Sequence, residues 1–202
     1  QASLRALGEC GLTAADADGV FAATTQLPMA PLNLALELGI EPRHTDATNV
    51  GGSSFMFHVG HARAAIAAGQ CEVALIAYGS TQRLVGRGSA SVQELDPWEA
   101  PFRPAMPVTA YGLAASRHMH EFGTTREQLA SVAVAARRWA QLNPGAWSRD
   151  PLTIEDVLGS RMVADPLTVR DCCLVTDGGA AIVVTSAERA AALPRSPVHV
   201  LG

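Results

Sequence analysis

The chain has 202 residues, 48% hydrophobic and 17% charged, with a formal net charge of −4, enough to bury one sizeable core or a domain with an appendage. The acidic balance and the lack of a basic run argue against a nucleic-acid partner. No apolar run approaches a membrane span and nothing reads as a signal peptide, so neither membrane insertion nor export is expected.

The cysteines, Cys10, Cys71, Cys172 and Cys173, show no Cys-x-x-Cys ligand spacing. Reduced thiols in a cytoplasmic protein, with no metal site, are the expectation. In chain order, "LRALGECGL" predicts a helix closed by Gly11, and "ADGVFAATT" a strand buried on both faces. "PLNLALELGI" predicts a short helix with Leu32, Ala35, Leu36 and Gly39 on its apolar side. "RHTDATNV" is extended but polar, which suggests a sheet edge or a subunit contact. "TNVGGSSFMFHVGHARAAIAAG" reads as a strand end, a glycine turn and a helix running to Gly69. That helix carries one ionic residue, Arg63, and is expected to be packed on nearly all sides. "CEVALIAYG" is the most hydrophobic strand and completes a β-α-β unit.

Residues Ser80 to Thr109 are rich in Pro, Gly and Ser and predict a long loop. Trp98, Phe102 and Met106 within it suit either covering an apolar substrate or sealing the loop on the core. "AYGLAASRHMHEFG" predicts a helix ending at Gly123. "TTREQLASVAVAARRWAQLN" predicts another, with Thr125 and Gln128 at capping-box spacing, and "TIEDVLGS" a shorter one capped by Thr153. "TDGG" predicts a turn containing Asp177, followed by a strand over Ala180 to Thr185. Thr185 and Glu188 are expected to cap a last helix, and "SPVHVLG" to form a short strand. A helix at the start and a strand at the end suggest part of a larger chain.

The Gly51–Gly52 turn holds the candidate chemistry. Two glycines permit positive φ and close backbone approach, and Ser53 or Ser54 can cap the helix. The helix's first amides favour an anion above the turn. The alternative is a turn that merely links strand to helix. It is neither a P-loop nor a dinucleotide fingerprint, since the Gly-Lys-Ser/Thr and the third glycine are absent. His58 and His61, three apart on the helix, read as core histidines more readily than as metal ligands. His118 and His120 fall on different helix faces. Tyr111 offers a hydroxyl for a substrate oxygen or simply packs, and Tyr78 is expected to pack.

"GLTAADADGVF", "LALELGIEPRH", "TNVGGSSFMFHVGHARAAIAAGQCEVALIAYGSTQR", "YGLAASRHMHEFG" and "DPLTVRDCCLVTDGGAAIVVTSAERA", in this order, resemble the N-terminal half of the thiolase superfamily, in its sterol-carrier-protein-2-type branch. The resemblance covers almost the whole chain. It implies an α/β thiolase-like fold with a mostly parallel mixed sheet and a central buried helix. Residues 1–83 and 171–202 would form the core and 84–170 a loop or cap subdomain, with a second thiolase-like half outside this chain. Working thiolases carry N-x-x-C-[small]-[ST]-G at the turn. Asn49 matches the asparagine, while Gly52 stands where the nucleophilic cysteine belongs, so acetyl transfer through a covalent thioester is disfavoured.

Relatives lacking this cysteine include retro-aldolases that cleave β-hydroxyacyl-CoA thioesters of sterol side chains. The resemblance therefore implies a carbon–carbon lyase acting on a CoA thioester, with no covalently bound cofactor. Gly52 and Ser53 would be the oxyanion site and Tyr111 a weaker catalytic candidate. Asn49, Gly51, Gly52, Ser53, Ser54, Met106 and Tyr111 would contact the substrate. It further implies a homodimer paired through residues 44–49 and a partner with an OB-fold and zinc ribbon. The alternatives are a lipid or acyl-CoA carrier, and a scaffolding subunit.

Overall fold

The computed structural model describes residues 1–24, 26–85 and 95–201. It divides into two units, Gln1–Val92 with Val175–Gly202, and Gln93–Leu174. In chain order the first unit supplies α1 (Ala2–Glu9), β1 (Gly19–Ala22), α2 (Ala30–Leu38), β2 (His44–Asp46), α3 (Ser54–Ala67), β3 (Val73–Ser80) and α4 (Gln82–Val85). The second supplies α5 (Val108–Phe122), α6 (Arg126–Leu142), α7 (Ile154–Leu158), β4 (Met162–Ala164) and β5 (Leu167–Thr168). The chain then returns to the first unit with β6 (Gly178–Thr185) and α8 (Ala187–Ala191).

The first unit is built on one sheet of order β2-β1-β3-β6, in which β2 and β3 run parallel to β1 and β6 antiparallel to β3. Side chains alternate across a strand, and here both faces are apolar. Val20, Val73 and Leu75 pack with Leu7, Ala35 and Ile40 on one face. Phe21, Ala74 and Ile76 pack with Ala62 and Ala65 of α3 on the other. That two-sided burial explains the uninterrupted hydrophobic run of β3. The polar β2 stands at the sheet's edge, where one side needs no apolar cover.

Several expectations are corrected. Helix α3 is buried along one ridge, Ser54, His58, Ala62 and Ala65, and not all round; Met56 and Phe57 are 74% and 50% exposed. Helix α2 turns Pro31 and Ala35 to the core and leaves Leu32 and Leu36 outside, because positions 31 and 35 share the face that meets the sheet. The final helix is capped by Ser186, which accepts from the Arg189 amide, while the Thr185 hydroxyl donates to the Glu72 carbonyl. The segment 196–201 forms no strand and leaves Val198 and Leu201 exposed. The expected loop at Ser80–Thr109 contains α4 and a 3-10 turn at Ala100–Phe102; its residues 86–94 lie outside those described. Trp98 and Phe102 are each 84% exposed, so they seal no core.

In the second unit α6 and α7 share a small core of Ala130, Val134 and Val157. Thr125 and Thr153 cap these helices, each accepting from the amide three residues on, and residues Gln128 and Asp156 complete the two boxes. The segment after α7 folds into an antiparallel pair, β4 with β5, which the sequence pattern does not announce. Asp171 closes this region: its carboxylate accepts from the Thr168 amide and hydroxyl, both at 2.7 Å, and from Arg126 at 2.9 Å.

Candidate active site

The turn between β2 and α3 lies beyond the carboxyl end of a parallel strand, the side on which open α/β sheets bind ligands. Gly51 has φ +72°, a left-handed conformation open to glycine at little cost. Ser54 is fully buried and ties the turn together, its Oγ accepting from the Val50 amide at 3.0 Å and donating to the Gly51 carbonyl at 2.6 Å. Asn49 Oδ1 accepts from the Gly51 amide at 3.2 Å. Ser53 is the N-cap by position but makes no side-chain cap bond, so neither serine caps α3 as expected.

Gly52 forms an isolated backbone bridge with Val50, and neither its amide nor that of Ser53 makes a hydrogen bond of good geometry among the described residues. A Cβ placed on Gly52 would meet nothing within 4 Å. The turn therefore offers weakly engaged amide donors beside open space, with no thiol.

The cysteines do not compensate. Burial, with Asp18 nearby, pushes the Cys71 thiol up, and burial with Asp171 does the same to Cys172. Both shifts suppress the thiolate, the opposite of what a nucleophile requires.

Beneath the turn is a polar network that sequence reasoning did not assemble. Asp46 Oδ1 accepts from both the amide and the hydroxyl of Thr48, each at 2.7 Å, and Asp46 Oδ2 pairs with His61 Nδ1. Burial pushes the Asp46 carboxyl up, but the bonds from Thr48 and His61 outweigh it and hold it below the usual range. His58 is fully buried, and its Nε2 lies 3.0 Å from the Thr48 carbonyl. A carbonyl only accepts, so Nε2 carries the proton. Nδ1 is then a bare acceptor, buried and without a partner. Burial lowers the pKa of His58 against the pull of Asp46 and the Thr48 carbonyl, which keeps the ring neutral. The signal was present in the sequence: Asp46 and Thr48 stand two apart in a stretch that reads as extended, and His58 and His61 share a helix face.

The structure thus gathers Asn49, Gly51, Gly52, Ser53 and Ser54 in one turn. Tyr111, 65% exposed, and Met106, half-buried, belong to the second unit. Tyr78 is partly exposed at the end of β3, its ring 5.2 Å from that of Phe55 in the first turn of α3. Asp177 accepts from the amides of Arg83 and Leu84 at the start of α4. His118 Nδ1 meets the Thr124 hydroxyl at 2.9 Å, and its ring packs on Phe122. Among the described residues no group of three or more His, Cys, Asp or Glu side chains gathers to hold a metal, and no helix is long and apolar enough to cross a membrane.

No protein-family model matches the chain. A steroid side-chain-cleaving aldolase from Thermomonospora curvata is 34% identical over the whole chain and 54% of its own length. A 17-hydroxy-3-oxo-4-pregnene-20-carboxyl-CoA lyase from Mycobacterium tuberculosis is 34% identical over 98% of the chain and 54% of its own length. Among solved structures, an Ltp2-ChsH2(DUF35) aldolase superposes with a TM-score of 0.82 at 33% identity, over 95% of this chain and 50% of that one. The chain thus spans about half the length of the curated relatives it matches. The chain's homologues are sterol-carrier-protein-2-type thiolase-like proteins, and its α/β fold is thiolase-like.

Proposed function

We propose that the protein acts as a carbon–carbon lyase on a β-hydroxyacyl-CoA thioester. The observation that carries the reading is the turn itself, where the Gly52 and Ser53 amides stand at a helix start beside open space, and Gly52 is the residue that the resemblance to thiolases sets where their nucleophilic cysteine stands. The aldolase and lyase named among its relatives support the same class of reaction and a steroid-bearing acyl group. In a retro-aldol cleavage a base takes the proton of the β-hydroxyl and the carbonyl forms at Cβ. The Cα–Cβ bond breaks, and its electron pair moves onto the thioester oxygen as an enolate. Protonation at Cα then releases a shortened acyl-CoA. The Gly52 and Ser53 amides suit the enolate oxygen, a developing negative charge that preorganised donors stabilise. Asn49, Gly51 and Ser54 shape the turn beneath it. The side chains of the turn include no carboxylate or imidazole to take the β-hydroxyl proton, and Tyr111 stays only a weak candidate for that role.

Edge strand β2 is the surface through which two copies would pair, over His44 to Asn49. The DUF35 component of the similar aldolase structure supports a partner protein, which the family resemblance would give an OB-fold and zinc ribbon. The test is to incubate the full-length protein, with and without such a partner, with a β-hydroxyacyl-CoA carrying a steroid or a linear chain. Released carbonyl product and shortened acyl-CoA are followed by mass spectrometry. Tight binding without any carbonyl product would replace this reading with that of a carrier. A monomer at micromolar concentration would remove the pairing through β2.

A further inference from the structure

We propose that His58 is a positioning residue of this site: its imidazole holds the Thr48 carbonyl and thereby fixes the turn that carries the Gly52 and Ser53 amides. The consequence for catalysis rests on the lyase reading above; the positioning itself does not.

A turn containing two adjacent glycines has little conformational preference of its own, so its geometry must be imposed from outside. The structure anchors it at both ends. Downstream, the buried Ser54 hydroxyl bridges Val50 and Gly51. Upstream, every polar group of Thr48 is engaged: the amide and hydroxyl by Asp46, the carbonyl by His58. Ser54 and His58 are four residues apart on one buried ridge of α3, so a single helix face holds both ends of the turn. Asp46 is itself held by His61, one turn further along the helix.

Packing does not account for His58. The ring is fully buried near Phe21 and Phe55, where an aliphatic or aromatic side chain of similar size would bury no unpaired ring nitrogen. Instead the fold retains an imidazole with a bare, unpartnered Nδ1. An unsatisfied buried acceptor is costly, and what is obtained in return is the single donor, Nε2–H, that reaches Thr48.

The test compares His58→Leu, which removes that donor, with His58→Gln, which offers an amide N–H near the same point. In the full-length protein His58→Leu is expected to raise amide exchange over residues 48–54 at least about tenfold, with β3 unchanged. It should lower kcat about 100-fold with little change in KM, since a small misplacement of catalytic groups costs about that much. His58→Gln should recover most of both. His58→Leu with native exchange at 48–54 would overturn the proposal, as would His58→Gln behaving no better than His58→Leu. If the unsubstituted protein yields no carbonyl product the lyase reading falls, while the exchange comparison still decides the positioning. Should His58→Leu not fold, nitrogen-15 spectra of the unsubstituted protein decide it. A protonated Nε2 with bare Nδ1 at neutral pH supports the proposal, and the opposite tautomer refutes it.

Discussion

Gly112 is a demanding position outside the turn. It sits in the first part of α5, and a Cβ there would lie 2.9 Å from the Asp165 carbonyl oxygen, 3.2 Å from that of Ala164 and 3.5 Å from the Ala164 Cβ. The two nearest obstacles are backbone atoms, which no rotamer change can clear, so α5 must move away from β4. In its favour, alanine gains about 1 kcal/mol over glycine in a helix interior. Against it, overpacking costs about 1–3 kcal/mol, and two backbone contacts place this case near 3 kcal/mol. Gly112→Ala should therefore destabilise by about 2 kcal/mol, lowering the melting temperature by about 4–8 °C for a chain of this size. Thermal melts followed by circular dichroism measure it, with Gly8→Ala as the control. Gly8 lies in α1 with nothing within 4 Å of the added carbon, so that variant should melt at or slightly above the native temperature. Gly112→Ala melting as high as the control would refute the close approach of α5 to β4.

Asp171 supplies a pH dependence. Burial pushes its carboxyl up, but Arg126 and the amide and hydroxyl of Thr168 pull it further down, below the ordinary 3.8. A carboxylate depressed in the folded state adds stability that is complete above its unfolded pKa and lost as the pH falls towards its folded one. Asp171→Asn should flatten that acid limb in urea titrations below about pH 4. At pH 7 it should cost about 3 kcal/mol by leaving the largely buried Arg126 unpaired. Gly52→Val should fold with native stability to within about 0.5 kcal/mol, since no atom lies within 4 Å of the new carbon, yet abolish product release by filling the space above the turn; retained turnover would remove that space from the site. Iodoacetamide should label the exposed Cys173 and leave activity intact, and incubation with acyl-CoA should give no mass adduct, whereas an acyl-enzyme on Cys71 would contradict its buried, unactivated state.

The layered fold was legible because its signals are local. Both capping boxes, the glycine stops at Gly11 and Gly123, and the run of β3 follow from neighbours in sequence. The polarity of "RHTDATN" marked β2 as an edge for a simple reason: a strand with one free side tolerates polar residues. What escaped depends on partners far along the chain. Leu32 and Leu36 satisfy an apolar pattern on α2, yet which stripe faces inward is decided by where the sheet lies. The terminal "PVHV" has strand propensity but gains no ladder partner. Thr185 has the spacing of a cap, but its hydroxyl is taken by Glu72, 113 residues away. The same holds at the turn, whose glycines were visible. The Asp46, Thr48, His58 and His61 network needs strand alternation and helix periodicity to be superposed, and neither pattern alone predicts it.

Strand β6 pairs with β3 so that Ser80 lies opposite Gly178. The segment between these two residues, which includes the whole of Gln93–Leu174, leaves and rejoins the sheet at one pair of adjacent backbone positions. In the antiparallel register a short hairpin would close the same gap. The intervening segment is thus an insertion at a single doorway, and its length and composition can drift without altering a register pair of the sheet. For a lineage, the turn between β2 and α3 and the segment inserted at that doorway can be revised separately.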